Sequence, residues 1–132
     1  MTALRDFISA LDERGKLKRV PERVNWKYEL GEIARRTQIP MLFENIEDYP
    51  GRQLFANGLS DYECIALAIG IQGEKVSFEE LLKTAGRRLK NPIPPVSVGY
   101  SPVTQNLVTQ EIDFRILPVP WWSEIDAGRY LG

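Results

Sequence analysis

The chain has no histidine among its 132 residues. That absence excludes Ser-His-Asp and Cys-His catalysis, the His-rich zinc sites and the commonest general base at neutral pH, since each needs an imidazole. Cysteine is nearly absent as well. Cys64 stands alone, so there is no internal disulfide and no thiolate zinc site within one chain. Any catalysis by this chain would rest on carboxylates, Lys, Tyr or a bound cofactor. Neither sign of charge is in excess: 17 Lys and Arg against 18 Asp and Glu leave a net charge of -1. Such a balance gives no global pull toward nucleic acid or an anionic membrane. No apolar run approaches the roughly 18 residues of a membrane span. The N-terminus, charged from Arg5 onward, lacks a signal peptide's apolar core, and cytoplasmic residence is the default expectation.

What is present is ordinary for a globular protein, 43% apolar and 27% charged, at a length that suits one domain with its own core. Thr2 is a candidate cap for a first helix, in which Leu4, Phe7, Ile8 and Leu11 form one stripe and Gly15 the C-terminal stop. "KLKRV" reads as a short strand stopped by Pro21. Asn25 would cap a second helix that places Trp26, Leu30, Ile33 and Ala34 on one face. "IPMLFENI" reads as a strand, with Met41, Phe43 and Asn45 opposite Leu42, Glu44 and Ile46. "EDYPG" is a turn and "RQLFANG" a further strand. Ser60 would cap a buried helix, "DYECIALAIGI", in which Cys64 is expected to be a buried thiol. Ser77 with Glu80 forms a capping box for an amphipathic helix through Phe78, Leu81, Leu82 and Ala85.

After Lys90 the character changes. "NPIPPVSVGYSP" holds four of the nine prolines, which excludes a helix and marks an extended linker. "VTQNLVTQEIDF" alternates like a strand, and "RILPVPWW" extends again. The expected architecture is α/β: a small mixed sheet flanked by about four helices over residues 1–90, then an extended C-terminal arm over 91–132.

Few residues invite a chemical role. "GIQGEK", from Gly70 to Lys75, lacks the spacing and preceding strand of a phosphate loop; it reads as an interhelix turn. The cations of "GRRLK" suit the negative end of a helix dipole, with an acidic partner as the alternative. Glu44, inside an apolar strand, either faces solvent at an edge or is paired inside, and a satisfied structural role is expected. Trp26, Tyr28, Phe43, Phe55 and Phe78 fall on apolar faces as core residues, which argues against single-strand nucleic-acid binding. Trp121 and Trp122 have no obvious local core. Adjacent in an extended segment, they should point to opposite sides, one toward a partner.

The order of these pieces resembles the N-terminal part of the UbiD family of reversible aromatic and α,β-unsaturated acid decarboxylases. The resemblance runs through "LRDFISALDERGKLKRV", "ELGEIARRT", "PMLFENIEDYPGRQLFANGL", "ECIALAIGI", "NPIPPV" and "VTQEIDFRILPVPWWSEIDAGRYL". It implies an enzyme using prenylated flavin mononucleotide with manganese and potassium. The family's Asn, His and Glu metal ligands and its Glu-Arg-Glu network belong to a central flavin-binding domain, so none is carried onto a position here. The departure is Ala127-Gly128, where the family usually has Gly-Gly or an Ala-Pro type pair. By this resemblance the chain is an N-terminal domain or small subunit with no catalytic, cofactor or metal residues of its own, in an enzyme expected to be oligomeric. Its partner is a flavin-binding domain or subunit, met through Trp121, Trp122, Arg129 and Tyr130. The tail alone is then expected to be poorly packed. A non-catalytic accessory module of the same fold in another assembly is the alternative.

Overall fold

In the computed structural model, residues 3–71 and 76–131 are described. Among the described residues, four α-helices and three strands follow in the order α1 (Leu4–Glu13), β1 (Lys18–Val24), α2 (Glu29–Thr37), β2 (Met41–Ile46), β3 (Leu54–Ala56), α3 (Tyr62–Ala68) and α4 (Phe78–Lys90). The sheet order is β1-β2-β3, with β1 parallel and β3 antiparallel to β2. The expected small mixed sheet with four helices is therefore the observed one.

Both faces of the sheet are covered, and the burial pattern of β2 shows it. Met41, Leu42 and Phe43 are all buried in succession, as a central strand sandwiched on two sides requires. One core gathers Val20, Val24, Leu30, Ala34, Met41, Phe43, Ile46 and Tyr49 between the sheet and α2. A smaller core on the helical side of α1 and α3 joins Phe7 and Leu11 to Cys64 and Leu67, with Phe55 against it. Cys64 is fully buried, and that burial, helped by the Asp61 carboxylate, pushes its thiol above the ordinary range. It packs as a small apolar residue.

Several boundaries differ from the sequence expectation, each for a local reason. Pro21 does not end β1; the strand runs on to Val24 with a register shift between Val20 and Arg23. An edge strand with a bulge tolerates the missing N–H. Asn25 turns the chain instead of capping α2: its Oδ1 accepts from the Lys27 amide at 2.7 Å, and the helix begins only at Glu29 after Tyr28 at φ 68°. Asp61, not Ser60, caps α3, accepting from the Cys64 amide at 2.7 Å. Ser77 does cap α4, accepting from the Glu80 amide at 3.2 Å. The end of α1 behaves as expected: Gly15 is left-handed at φ 66°, its amide donates to Asp12 O, and the Lys16 amide donates to Leu11 O. That pair of bonds closes the helix. The Thr2 cap and residues 72–75 of the "GIQGEK" turn lie outside the described residues.

Glu44 has the structural role expected. Its carboxylate accepts from Arg19 at 2.6 Å, and the same guanidinium holds Asp12 of α1 at 2.6 Å, tying β1 and β2 to the first helix. The aromatic reading needs one correction: Phe78 is more than half exposed, against a similarly exposed Tyr62. Of the stripe on α4 only Leu81 is buried.

Candidate functional site

Beyond Lys90 the chain divides into an arm, residues 91–117, and a tail, residues 118–131. The arm contains two short 3₁₀ turns, Pro102–Thr104 and Phe114–Ile116. The strand expected over "VTQNLVTQEIDF" is not formed; no neighbouring strand offers it a ladder, and alternation alone does not hold one. The tail comes back to the domain, contrary to the expectation of poor packing.

The return is made by backbone first. The Trp121 amide donates to Trp26 O at 3.0 Å and Trp121 O accepts from the Tyr28 amide at 2.8 Å, a single parallel bridge centred on Lys27. These bonds satisfy backbone groups in the strained link between β1 and α2, where Tyr28 has a positive φ of 68° with ψ −42°. The Trp121 ring stands edge-on to Tyr28 with centroids 5.3 Å apart, and the Lys27 ammonium lies 5.2 Å from the Trp121 ring. Trp121 Nε1 donates to Asp126 O at 3.2 Å.

Trp122 lies against α2 at a position only glycine can serve. A Cβ on Gly31 would stand 2.1 Å from Trp122 O, far inside contact distance. The Trp122 indole packs against the larger core, and its Nε1 donates to Tyr130 O at 3.0 Å. Both tryptophans are thus half-buried and face the domain; neither stands free in the manner expected of an outward-pointing neighbour.

Arg129 closes the arrangement. Its guanidinium carbon lies 4.1 Å from the Trp26 ring centroid and 5.5 Å from that of Tyr49. Its Nε donates to Val119 O at 2.6 Å and its Nη2 to the Tyr49 hydroxyl at 2.5 Å. A planar fork stacked on one ring and bonded past another is a use of arginine that lysine cannot copy. The Tyr130 amide donates to Pro120 O at 3.2 Å. Pro120, one of the largest fully buried side chains, is gripped inside this loop.

The four sequence-predicted residues are therefore brought together, in a clasp that holds the tail to its own domain. Sequence reasoning missed the other half of it. Gly31, Trp26 and Tyr49 receive the tail, and the only signal was a glycine inside a helical pattern, which in a helix usually marks a close approach. A cleft of about 530 Å³ runs beside the clasp, lined by Leu4, Phe7, Phe55, Asn57, Trp122 and Tyr130. Its lining carries no ionisable group except the Tyr130 phenol. Among the described residues the one buried side-chain oxygen without a hydrogen-bond partner is Asp126 Oδ2, and no group of three or more His, Cys, Asp or Glu is placed to hold a metal ion.

An α/β unit of this topology recurs within larger enzymes. Residues 8–89 match the family model of the 3-octaprenyl-4-hydroxybenzoate carboxy-lyase N-terminal domain, and the chain belongs to that family, the UbiD family. It is 28% identical over 134 residues to a phenolic acid decarboxylase of Bacillus subtilis, a match covering 96% of this chain and 28% of the relative. The open form of vanillic acid decarboxylase from Sedimentibacter hydroxybenzoicus superposes with a TM-score of 0.84 at 27% identity, over 98% of this chain and 29% of that one. An evolved dimeric form of the UbiD-class enzyme HmfF from Pelotomaculum thermopropionicum, in complex with prFMN, gives a TM-score of 0.79 at 28% identity over 98% and 30%. The chain thus spans under a third of the relatives it matches.

Proposed function

We propose that this chain is the N-terminal domain of a carboxy-lyase acting reversibly on aromatic or α,β-unsaturated carboxylic acids, and that the chemistry is done with a flavin-binding domain or subunit. The observation that carries the reading is the family match over residues 8–89, joined by a structural likeness to a relative that covers 98% of the chain. Residues 1–90 then form the α/β domain, and 91–132 lead toward the flavin-binding domain. Trp121, Trp122, Arg129 and Tyr130 serve the junction by fixing where the tail lies. The relatives' phenolic and vanillic acids support the substrate class, and the prFMN complex of a relative supports the cofactor.

This chain's own residues do not fit the metal that accompanies the flavin. A manganese site with an imidazole ligand cannot be drawn from a sequence without histidine, and Arg129 is already engaged by Tyr49 and Val119. No step of the reaction is derived through this domain. Its part is to position the flavin-binding domain, cover the entrance of the active site or form subunit contacts, in an oligomeric, cytoplasmic enzyme that holds manganese and potassium elsewhere. Among the described residues no helix is long and apolar enough to cross a membrane.

The test is reconstitution. The purified chain, given prenylated flavin, manganese and potassium, should show no flavin absorbance after desalting and no CO2 release from aromatic acids. Joined to the flavin-binding domain or subunit, it should support both. Stoichiometric flavin binding by the chain alone would overturn the reading.

A further inference from the structure

We propose that the face received by the flavin-binding domain is the apolar row of the arm, residues 91–117, and not the Trp-Trp-Arg-Tyr clasp; this rests on the function proposed above. Arg129 bonds the Tyr49 hydroxyl and stacks on Trp26, Trp122 packs on the larger core of its own domain, and both indole N–H groups are taken up within the tail. The arm does the reverse. Ile93 is 93% exposed, and Val98, Tyr100, Val103, Leu107 and Phe114 are likewise exposed, a concentration that monomeric soluble surfaces rarely carry.

Composition points to a protein surface as the occupant. Between Asn91 and Leu117 the charged residues are Glu111, Asp113 and Arg115, and the last two pair with each other at 2.9 Å. Depletion of charge with retained aromatics is the signature of a buried interface core. The arm is also prepared for docking. Prolines at 92, 94, 95 and 102 restrict it before it binds, which lowers the ordering entropy that association must meet. It is anchored at both ends, by the Asn91 amide on Arg88 O at 3.1 Å and by the Trp121 bridge to Lys27. The solved relatives match over 98% of this chain, arm included, within far longer chains. Such long neighbouring sequence favours the rest of the enzyme, rather than a second copy of this domain, as the surface the arm meets.

The experiment is amide hydrogen exchange on the chain, alone and with the flavin-binding domain or subunit. Residues 91–117 should gain protection of at least tenfold in the complex, with residues 118–131 nearly unchanged. Ile93→Asp and Phe114→Asp should each weaken the complex about tenfold, the effect of losing a central apolar contact, while leaving the chain's own Tm unchanged. A complex that protects the tail and leaves the arm as it was would overturn this assignment and keep the proposed function. Protection of the arm that rises with the concentration of the chain alone would assign it to a second copy and overturn it too. No complex at all would overturn both.

Discussion

The arm and the tail are neighbours in sequence and both rich in proline and apolar residues, yet they behave as opposites. Residues 118–130 fold back, stack Arg129 on Trp26 and lay Trp122 on Gly31. Residues 91–117 leave most of their apolar side chains in solvent. Hydrophobicity does not separate them. What separates them is polar satisfaction: the tail has backbone and guanidinium partners on its own domain, and the arm's hydrogen bonds are local turns such as Thr104 N to Ser101 O. An apolar segment docks where its backbone groups can also be paired.

The largest expected effect comes from Gly31→Ala. In an ordinary helix interior this change stabilises by about 0.5–1 kcal/mol. Here the added methyl meets the Trp122 backbone O, so the sign should invert to a loss of about 3 kcal/mol or more, at the top of the usual range for overpacking, visible in urea unfolding together with a red shift of tryptophan emission. Stabilisation by this variant would mean that the tail is not held against α2.

Next is Arg129→Ala, which removes the bonds to Val119 O and the Tyr49 hydroxyl and the stacking on Trp26. A loss of roughly 1.5–3 kcal/mol is expected from charged hydrogen bonds of this kind, with Arg129→Lys recovering only part because it lacks the fork. A smaller effect should appear in acid. Burial acts to raise the Asp61 carboxyl, but the Cys64 amide bond and Lys16 outweigh it and hold it below its ordinary value. A carboxyl lowered on folding contributes stability above its unfolded pKa, and the contribution disappears as pH falls through the folded value. Melting curves of the wild type and Asp61→Asn should therefore converge as pH drops below the usual aspartate range of about 3.9. Smallest of all, Val98→Ser and Val103→Ser in the arm should leave stability within about 0.5 kcal/mol while reducing binding of an apolar dye.

Much of the fold was legible because local rules agree with the tertiary arrangement. Leu11 and Leu30 sit on true apolar stripes, and Ser77 and Gly15 do what caps do. The misreadings have two causes: a local signal was overruled by a competing group a few residues away, or by a neighbour distant in sequence. Pro21 stays in a strand because only one side of β1 is paired. Asn25 turns the chain because Glu29 Oε2 takes its amide at 2.7 Å. The tail looked unpacked because its receptors, Trp26, Gly31 and Tyr49, lie some eighty to a hundred residues earlier, and nothing in "PVPWW" names them. The family resemblance was legible for a different reason: the order of many weak motifs survives where each alone says little.

The most direct measurement is residue-resolved hydrogen exchange on the isolated chain. The amides of Tyr28, Trp121 and Tyr130, each donating across the clasp, should exchange at least tenfold more slowly than those of Val98, Val103 and Leu107 in the arm. Equal, rapid exchange in both segments would contradict a tail that belongs to the domain and an arm that awaits a partner.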